Sequence, residues 1–568
     1  MSHLLGRALA ALAASCAIAV GLTAVGSASA AEPAFPRNLG LYLQHSALPS
    51  ASSIARYDVV VIDNEWGHRS PALLDEVRRL NPSITLLAYV NLVDRNLSLG
   101  SQSNWRNRWS LWGYTAPNTI GTFPEAWIAK KAGGATVSEW AGTWMSNLSD
   151  TSPLVGGRRF YDYAANWVVD NVWATGKWDG IFLDVWGDRI WNSAASSWDV
   201  DRDGDDDSGP ALYGVDSPWE RGITAAEAIM RSRMGTEAIL VANNTRTFRN
   251  GRINGRVWES FADPGKGRTF AADAATYVAG VNDPGHGQPG VQLALDKDFT
   301  GTGTATDLRR ARYFMTASLL SNGYWGGSVG DYGGFGWYEE MDGAGLGRGY
   351  LGQPLAANPT WSQITATYAT SAGVGKYANG VHRRDFTNGI ALVNPTGSPQ
   401  TVSLETSFDR LSGASSVNTG GAVQTITIPS LDGIILMRQG TGPASPPSSP
   451  PPAPAPAPVT VSVSPSSVSV PTGDARTFSA STSNGSGVSW SVNGVAGGNA
   501  TVGRITSGGV YTAPATVPSG TVTVRATHSG GTWGQAAVTV TARLSTPAPS
   551  PAPAPSLPRA PETPLTPA

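Results

Sequence analysis

The stretch "KWDGIFLDVWGD", Lys177 to Asp188, is an apolar run that ends in a carboxylate, Asp184, with polar and aromatic residues directly behind it. "GRVWESF" (255 to 261) repeats the arrangement with Glu259, and "AILVANN" (238 to 244) between them ends in the amides Asn243 and Asn244. Two carboxyl groups delivered to one rim can cleave a glycosidic bond, because one protonates the leaving oxygen while the other attacks or activates water. Comparable runs end in Asp63 and Glu65, in Tyr89 and Asn91, in Asp296 and Asp298, and in Asp331. Trp66, Trp186, Trp191 and Trp325 lie close to the same ends and offer indole faces to sugar rings. Asp63, Glu65, Trp66, Tyr89, Asn91, Trp186, Asn243, Asn244 and Trp325 are therefore the expected substrate contacts. His68 and His286 are isolated from any metal cluster or Ser/His/Asp triad and read as loop histidines.

A second constellation is "DVDRDGDDDSG", which sets Asp199, Asp201, Asp203, Asp205 and Asp207 at alternate positions around Gly204. Its opening follows the calcium-loop pattern D-x-D-x-D-G, but the twelfth position is Pro210 and not a bidentate glutamate. The loop is read either as holding one structural calcium ion or as a solvated acidic insertion.

Eight strand-like runs supply these ends: 38 to 44, 57 to 63, 84 to 90, 179 to 185, 238 to 244, 255 to 261, 291 to 299 and 322 to 330. Their near-continuous apolar content suits strands covered on both faces, and "SPALLDEVRRLNP" between two of them has helical periodicity before a proline stop. The pattern predicts a (β/α)8 TIM barrel over residues 35–374, with a doubly wound open sheet as the alternative. In a barrel the C-terminal strand ends form the mouth, which explains why a strand should end in an acid. Residues 375–438 alternate with Asn-Gly and Asp-Gly turns and predict a small antiparallel β-domain. A Pro-rich linker (439–458), a β-sandwich (459–542) and a Pro-rich disordered tail (543–568) follow.

Composition narrows the function classes. A net charge of −2 and the lack of basic runs interleaved with aromatics argue against a nucleic-acid partner. Tryptophan (20) outnumbers tyrosine (16) and phenylalanine (13), an excess that points to carbohydrate. Residues 1–31, with Arg7, an apolar run to about Val25 and small residues at Ala28 and Ala30, predict a secretory signal peptide and an extracellular protein. The only cysteine, Cys16, falls inside that run, so the mature chain is expected to have no thiol, disulfide or cysteine-based site; no organic cofactor is expected either. No later segment is apolar enough to span a bilayer.

The runs "LLAYVN", "DGIFLDVWGD", "LVANNTR" and "GRVWESF", followed by "RRDFTNGIALVNPT" and "SLDGIILM", resemble glycoside hydrolases grouped as hypothetical glycosyl hydrolase family 15, over roughly Phe35 to Arg438. The region is similar, more distantly, to endo-α-1,4-polygalactosaminidase and α-galactosidase-like barrels. That resemblance implies a retaining hydrolase of an extracellular polysaccharide, with Asp184 as nucleophile and Glu259 as proton donor. A donor's role would place Glu259 near apolar rings such as Trp258 or Phe261, or near another acid, and Asp184 among hydrogen-bond donors. A non-catalytic carbohydrate-binding or surface-associated protein on the same barrel is the competing reading. Residues 459–542 resemble bacterial Ig-like domains of the group 2 kind, which implies a spacer or a contact with polysaccharide or cell surface.

Overall fold

The computed structural model describes residues 33–44, 46–96, 123–243, 245–249, 251–301, 303–330, 332–440, 460–483, 487–528 and 532–543. The expected signal peptide, Asn244, Asp331 and nearly all of the Pro-rich linker and tail lie outside them. The chain divides into two compact units, Met1–Pro446 and Pro447–Ala568.

In the first unit eight strands pair in chain order, each parallel to the next: Leu39–Tyr42, Val59–Asp63, Thr85–Asn91, Gly180–Asp184, Ile239–Asn243, Gly255–Glu259, Leu293–Phe299 and Tyr324–Val329. A parallel bridge between Asn38 and Trp325 brings the first strand to the eighth, so the sheet is a nearly closed barrel. The doubly wound alternative requires strand order to reverse within the sheet, and here it never does. A ninth strand, Gly334–Phe335, adds antiparallel to the eighth. The fourth and sixth strands each begin with a glycine because a Cβ at Gly180 would meet the Ile239 carbonyl oxygen at 1.9 Å, and one at Gly255 the Val291 oxygen at 1.8 Å.

Side chains alternate across a strand, and that period sorts the barrel into two cores. Leu39, Leu41, Val59, Val61, Leu87, Phe182, Ile239, Val241, Val257, Leu293, Leu295 and Tyr324 fill the interior. The opposite parity, including Val60, Ile62, Leu86, Ile181, Leu183, Leu240 and Trp325, packs outward in a larger core. Continuing the interior parity to the strand ends selects Asp63, Tyr89, Asn91, Asp184, Asn243, Glu259 and Lys297.

The outer layer departs from one helix per strand. Helices Pro71–Leu80, Phe160–Trp167, Pro218–Met234, Phe270–Val281 and Ala305–Ser318 follow the second, third, fourth, sixth and seventh strands. The longest is capped by Ser217, whose side chain accepts from the Glu220 amide at 3.1 Å. The first connection holds only the four-residue helix Ala51–Ile54, and among the described residues the fifth and sixth strands are joined without a helix. Between the third strand and its helix lies a long excursion containing the antiparallel pair Asp94–Asn96 and Thr143–Met145.

Six antiparallel strands, Val374–Lys376, His382–Asp385, Gly389–Asn394, Asp432–Arg438, Gln400–Arg410 and Ala422–Ile428 in spatial order, form a separate sheet. This sheet docks on helix Ala305–Ser318 through a buried bidentate pair, Arg312 to Asp432 at 2.9 and 2.8 Å. The second unit contains a five-stranded and a four-stranded sheet with a two-stranded ribbon. Its core of Phe478, Trp490, Val492, Tyr511, Val522, Val524 and Val538 is its own.

Candidate active site

Asp184 ends the fourth strand, and its carboxylate collects donors from both neighbouring strands. Tyr89 on the third strand donates its hydroxyl to Oδ2, and Asn243 on the fifth donates Nδ2 to Oδ1 at 2.8 Å. The Val185 amide donates to Oδ1 at 3.0 Å, and Asn91 Nδ2 stands 3.5 Å from Oδ2. Burial pushes the Asp184 carboxyl above the usual carboxylate range against these donors, and the charge of Glu259 adds to the rise. Asp184 and Glu259 thus face one mouth, as do the expected contacts Tyr89, Asn91 and Asn243.

The surroundings of Glu259 differ from the expected apolar rings. Lys297, on the seventh strand, places its ammonium 2.6 Å from Glu259 Oε1, and the Tyr332 hydroxyl donates to the same oxygen. The expected rings do not wall this carboxylate, because parity turns Trp258 outward to Gln292 at 3.2 Å and Phe261 packs on Tyr277; the acid within electrostatic reach of it is Asp184. The ion pair fits a charged carboxylate better than a proton donor.

Backbone geometry marks the same positions. The residues that follow Asp184, Glu259 and Lys297 are all left-handed: Val185 (φ 56°), Ser260 (φ 53°) and Asp298 (φ 64°). For a β-branched valine this conformation is strained, at a cost on the order of 1–3 kcal/mol. It ends the strand and turns the Val185 N–H onto the Asp184 carboxylate.

That turn also removes the expected sugar platforms. Trp186, beyond Val185, is fully buried and donates to Glu227 at 2.9 Å. Trp325 takes the outward parity and donates to Asp296 at 2.9 Å, while Trp66 is buried against Gln44 and beneath the Arg69 guanidinium. None of the three presents a face to the mouth. Asp63 is buried at the end of the second strand, and Glu65 is buried in an ion pair with Arg69 at 2.9 Å. Among the exposed indoles of the described residues are Trp140 (50%) and Trp191 (57%), whose rings lie 5.0 Å apart at 60°.

The long excursion after the third strand brings further acids that sequence reading missed. Asp94 accepts from Asn91 Nδ2 at 3.4 Å and from Thr143 Oγ1 at 3.3 Å. Near Asp94, the carboxyl of Glu139 is buried. Burial, then the Asp94 contact and the charges of Asp94 and Asp184, push Glu139 up to about 9. Burial likewise raises Asp94, with the charge of Asp184 adding to it. Asn192 ties the two loops together by donating to the Glu139 carbonyl. Only the adjacency of Asn91 and Asp94 hinted at this cluster, and nothing in the sequence joins either to Glu139.

The acidic run brings carboxylate oxygens of Asp199, Asp201 and Asp207 within 4.8 Å of one another. Asp203 and Asp205 stay outside that group, their backbone amides donating back to Asp199, Asp201 and Asp203 at 2.9 to 3.2 Å. Hard oxygen donors in this arrangement fit a calcium ion.

None of the curated proteins matches the chain. Two solved structures are similar to parts of it. The chitinase of Rhizomucor miehei is 9% identical, with 46% of this chain covering 69% of that one at a TM-score of 0.26. The chitinase domain of the spore coat protein CotE from Clostridium difficile is 14% identical, with 42% of this chain spanning about half, 53%, of that one at a TM-score of 0.20. The profile that describes hypothetical glycosyl hydrolase family 15 matches residues 78–390. That span includes the third to eighth barrel strands, the mouth acids Asp184 and Glu259 and the first strands of the β-domain, and the chain belongs to hypothetical glycosyl hydrolase family 15.

Proposed function

We propose that this chain is a secreted, retaining glycoside hydrolase of an extracellular polysaccharide, built on a TIM barrel, with Asp184 as its nucleophile. The observation that carries the reading is the convergence of Tyr89, Asn243 and the Val185 amide on Asp184, with Glu259 across the same mouth. The donors fix one carboxylate oxygen pair and leave it facing the rim, as attack on an anomeric carbon requires. Glu259, charged beside Lys297, is placed to stabilise positive charge developing on the sugar ring and to accept from its hydroxyls. Trp140 and Trp191 form the stacking wall for a neighbouring sugar. The acidic loop holds one calcium ion through Asp199, Asp201 and Asp207, and the second unit is an Ig-like module that contacts polysaccharide or cell surface, or acts as a spacer.

The test is a polysaccharide panel with reducing-end detection on the full chain and on Asp184→Asn. Turnover on one substrate, falling by roughly three to four orders of magnitude in the variant, is expected. Binding to a polysaccharide without turnover would overturn the hydrolase reading in favour of the carbohydrate-binding protein.

A further inference from the structure

The left-handed turn at Val185 (φ 56°) needs an outside hold, because a β-branched residue keeps this conformation only where its surroundings over-determine it. Two hydrogen bonds from the next residue supply that hold. The Trp186 amide donates to the Asn243 carbonyl at 2.7 Å, and Asn243 is the residue whose side chain donates to Asp184. On its other side the buried Trp186 indole donates at 2.9 Å to Glu227 Oε1, on helix Pro218–Met234. Just beyond, the Asp188 amide donates to the Thr245 carbonyl at 2.9 Å and the Trp219 indole to the Gly187 carbonyl at 3.0 Å. The segment behind the nucleophile is thus pinned between the end of the fifth strand and this helix.

Glu227 is itself held by a cation. Arg246 directs all five of its N–H groups at acceptors: Nε at Glu227 Oε1 (2.8 Å), Nη1 at Asp188 Oδ1 (2.6 Å) and Glu220 Oε1 (3.1 Å), Nη2 at Thr224 Oγ1 (2.8 Å) and Glu227 Oε2 (2.9 Å). Glu220, Glu227 and Arg246 are buried, and Arg252 and Arg249 stand 3.6 and 3.8 Å from Glu227 and Glu220. Stability alone is a poor reason for such a cluster, since apolar side chains of similar volume often serve as well. Its geometry answers a different need. With both of its oxygens engaged by Arg246, Glu227 cannot follow the indole, so the acceptor stays fixed on the helix and the turn is held to it.

We propose that Glu227, fixed by Arg246, is a positioning residue for Asp184: through the Trp186 indole it holds Val185 left-handed and so keeps the Val185 N–H on the Asp184 carboxylate. The inference rests on the glycosidase reading with Asp184 as nucleophile. The Val185 N–H donates to Asp184 Oδ1 at 3.0 Å, beside the Asn243 bond at 2.8 Å to the same oxygen. Releasing the turn removes a donor to the charged form and frees the carboxylate to leave its line of attack on the anomeric carbon. Among the described residues, the charged and titratable groups facing Asp184 are Tyr89 from the third strand, Glu259 from the sixth with Lys297 beside it, and Asp94 and Glu139 from the long excursion. They sit on elements other than those that carry Trp186 and Glu227, so substitutions at these two positions leave them in place.

The experiment compares wild type, Trp186→Phe, Glu227→Ala and Glu227→Gln, and repeats Trp186→Phe in a Val185→Gly background. Melting temperatures, crystal structures and pH profiles of kcat/KM are measured, the last on the glycoside that the wild type hydrolyses. Trp186→Phe keeps a buried ring and leaves the Glu227–Arg246 pair intact, so it tests the indole bond even where Glu227→Ala does not fold. In Trp186→Phe, Val185 is expected to leave the left-handed region, kcat to fall by up to about a hundredfold with little change in KM, and the acid limb to move to higher pH. Glu227→Gln, whose amide oxygen still accepts from the indole, should lose less than Glu227→Ala. Glycine adopts positive φ without strain, so the loss caused by Trp186→Phe should shrink in the Val185→Gly background, which a merely structural role of Trp186 would not produce. A Val185 that keeps its conformation in Trp186→Phe, or variants that melt lower with kcat and acid limb unmoved, overturn the positioning while the glycosidase reading stands. A wild type silent on every polysaccharide and glycoside removes both, whatever the conformation of Val185.

Discussion

Asp184 is under opposing demands. To attack an anomeric carbon it must be ionised, yet burial raises its pKa, and the hydrogen bonds from Tyr89 and Asn243 work against that rise. The sign follows directly: activity is present above the pKa of Asp184 and lost as pH falls through it. The acid limb of kcat/KM should therefore lie above that of an ordinary carboxylate. Tyr89→Phe removes a donor to the charged form, so it should move this limb to higher pH while leaving activity at the plateau less affected; a limb that stays in place would show that the acid limb belongs to another group. The candidate acids on strand ends were legible because a run of buried residues that stops at a carboxylate is costly without a purpose. The tryptophans were not, because nearness in sequence does not give parity. Tyr324 points into the barrel and hands Trp325 to the outer core, and the left-handed Val185 sends Trp186 away from the mouth.

At the scale of elements, the eight strands and their order follow from apolar runs bounded by turns, and the helix Pro71–Leu80 follows from its proline start and its buried Leu74 and Val77. The long excursion between the third and fourth strands had no period to read. Its hairpin register, with Asp94 opposite Met145, is set by tertiary packing, and only the folded chain brings Glu139 to Asp94. The acidic loop was legible in spacing and wrong in detail, since its turn keeps three of five aspartates together and directs the Asp203 and Asp205 amides inward. Asp207 is raised by burial and by the charges of Asp201, Asp203 and Asp199, a repulsion that one divalent cation would relieve. Adding EDTA should lower the melting temperature of the wild type and have no effect on Asp199→Asn combined with Asp201→Asn. An unchanged wild-type melting temperature would leave the loop as a solvated insertion.

For the whole molecule, the division that matters is between what shares a core with the barrel and what does not. The β-domain is bound to it through buried groups: Arg312 pairs with Asp432, and the Arg384 guanidinium donates to the Leu319 and Ser321 carbonyls at 3.1 and 2.6 Å. Breaking one partner of such a pair leaves an uncompensated charge, so Arg312→Ala should cost about 3–5 kcal/mol of stability. The second unit has a separate core, and deleting everything after Gln439 should leave activity on small soluble glycosides and the melting of the first unit unchanged. Loss of soluble activity in that truncation would contradict the independence of the two units. The tilted Trp140–Trp191 pair has an optical consequence as well. Two indoles so close and so inclined couple their transitions, which gives the free protein an excitonic circular-dichroism couplet in the ultraviolet. A sugar ring that stacks on either indole changes the spacing or tilt, so ligand entry would be visible in that couplet with no label attached.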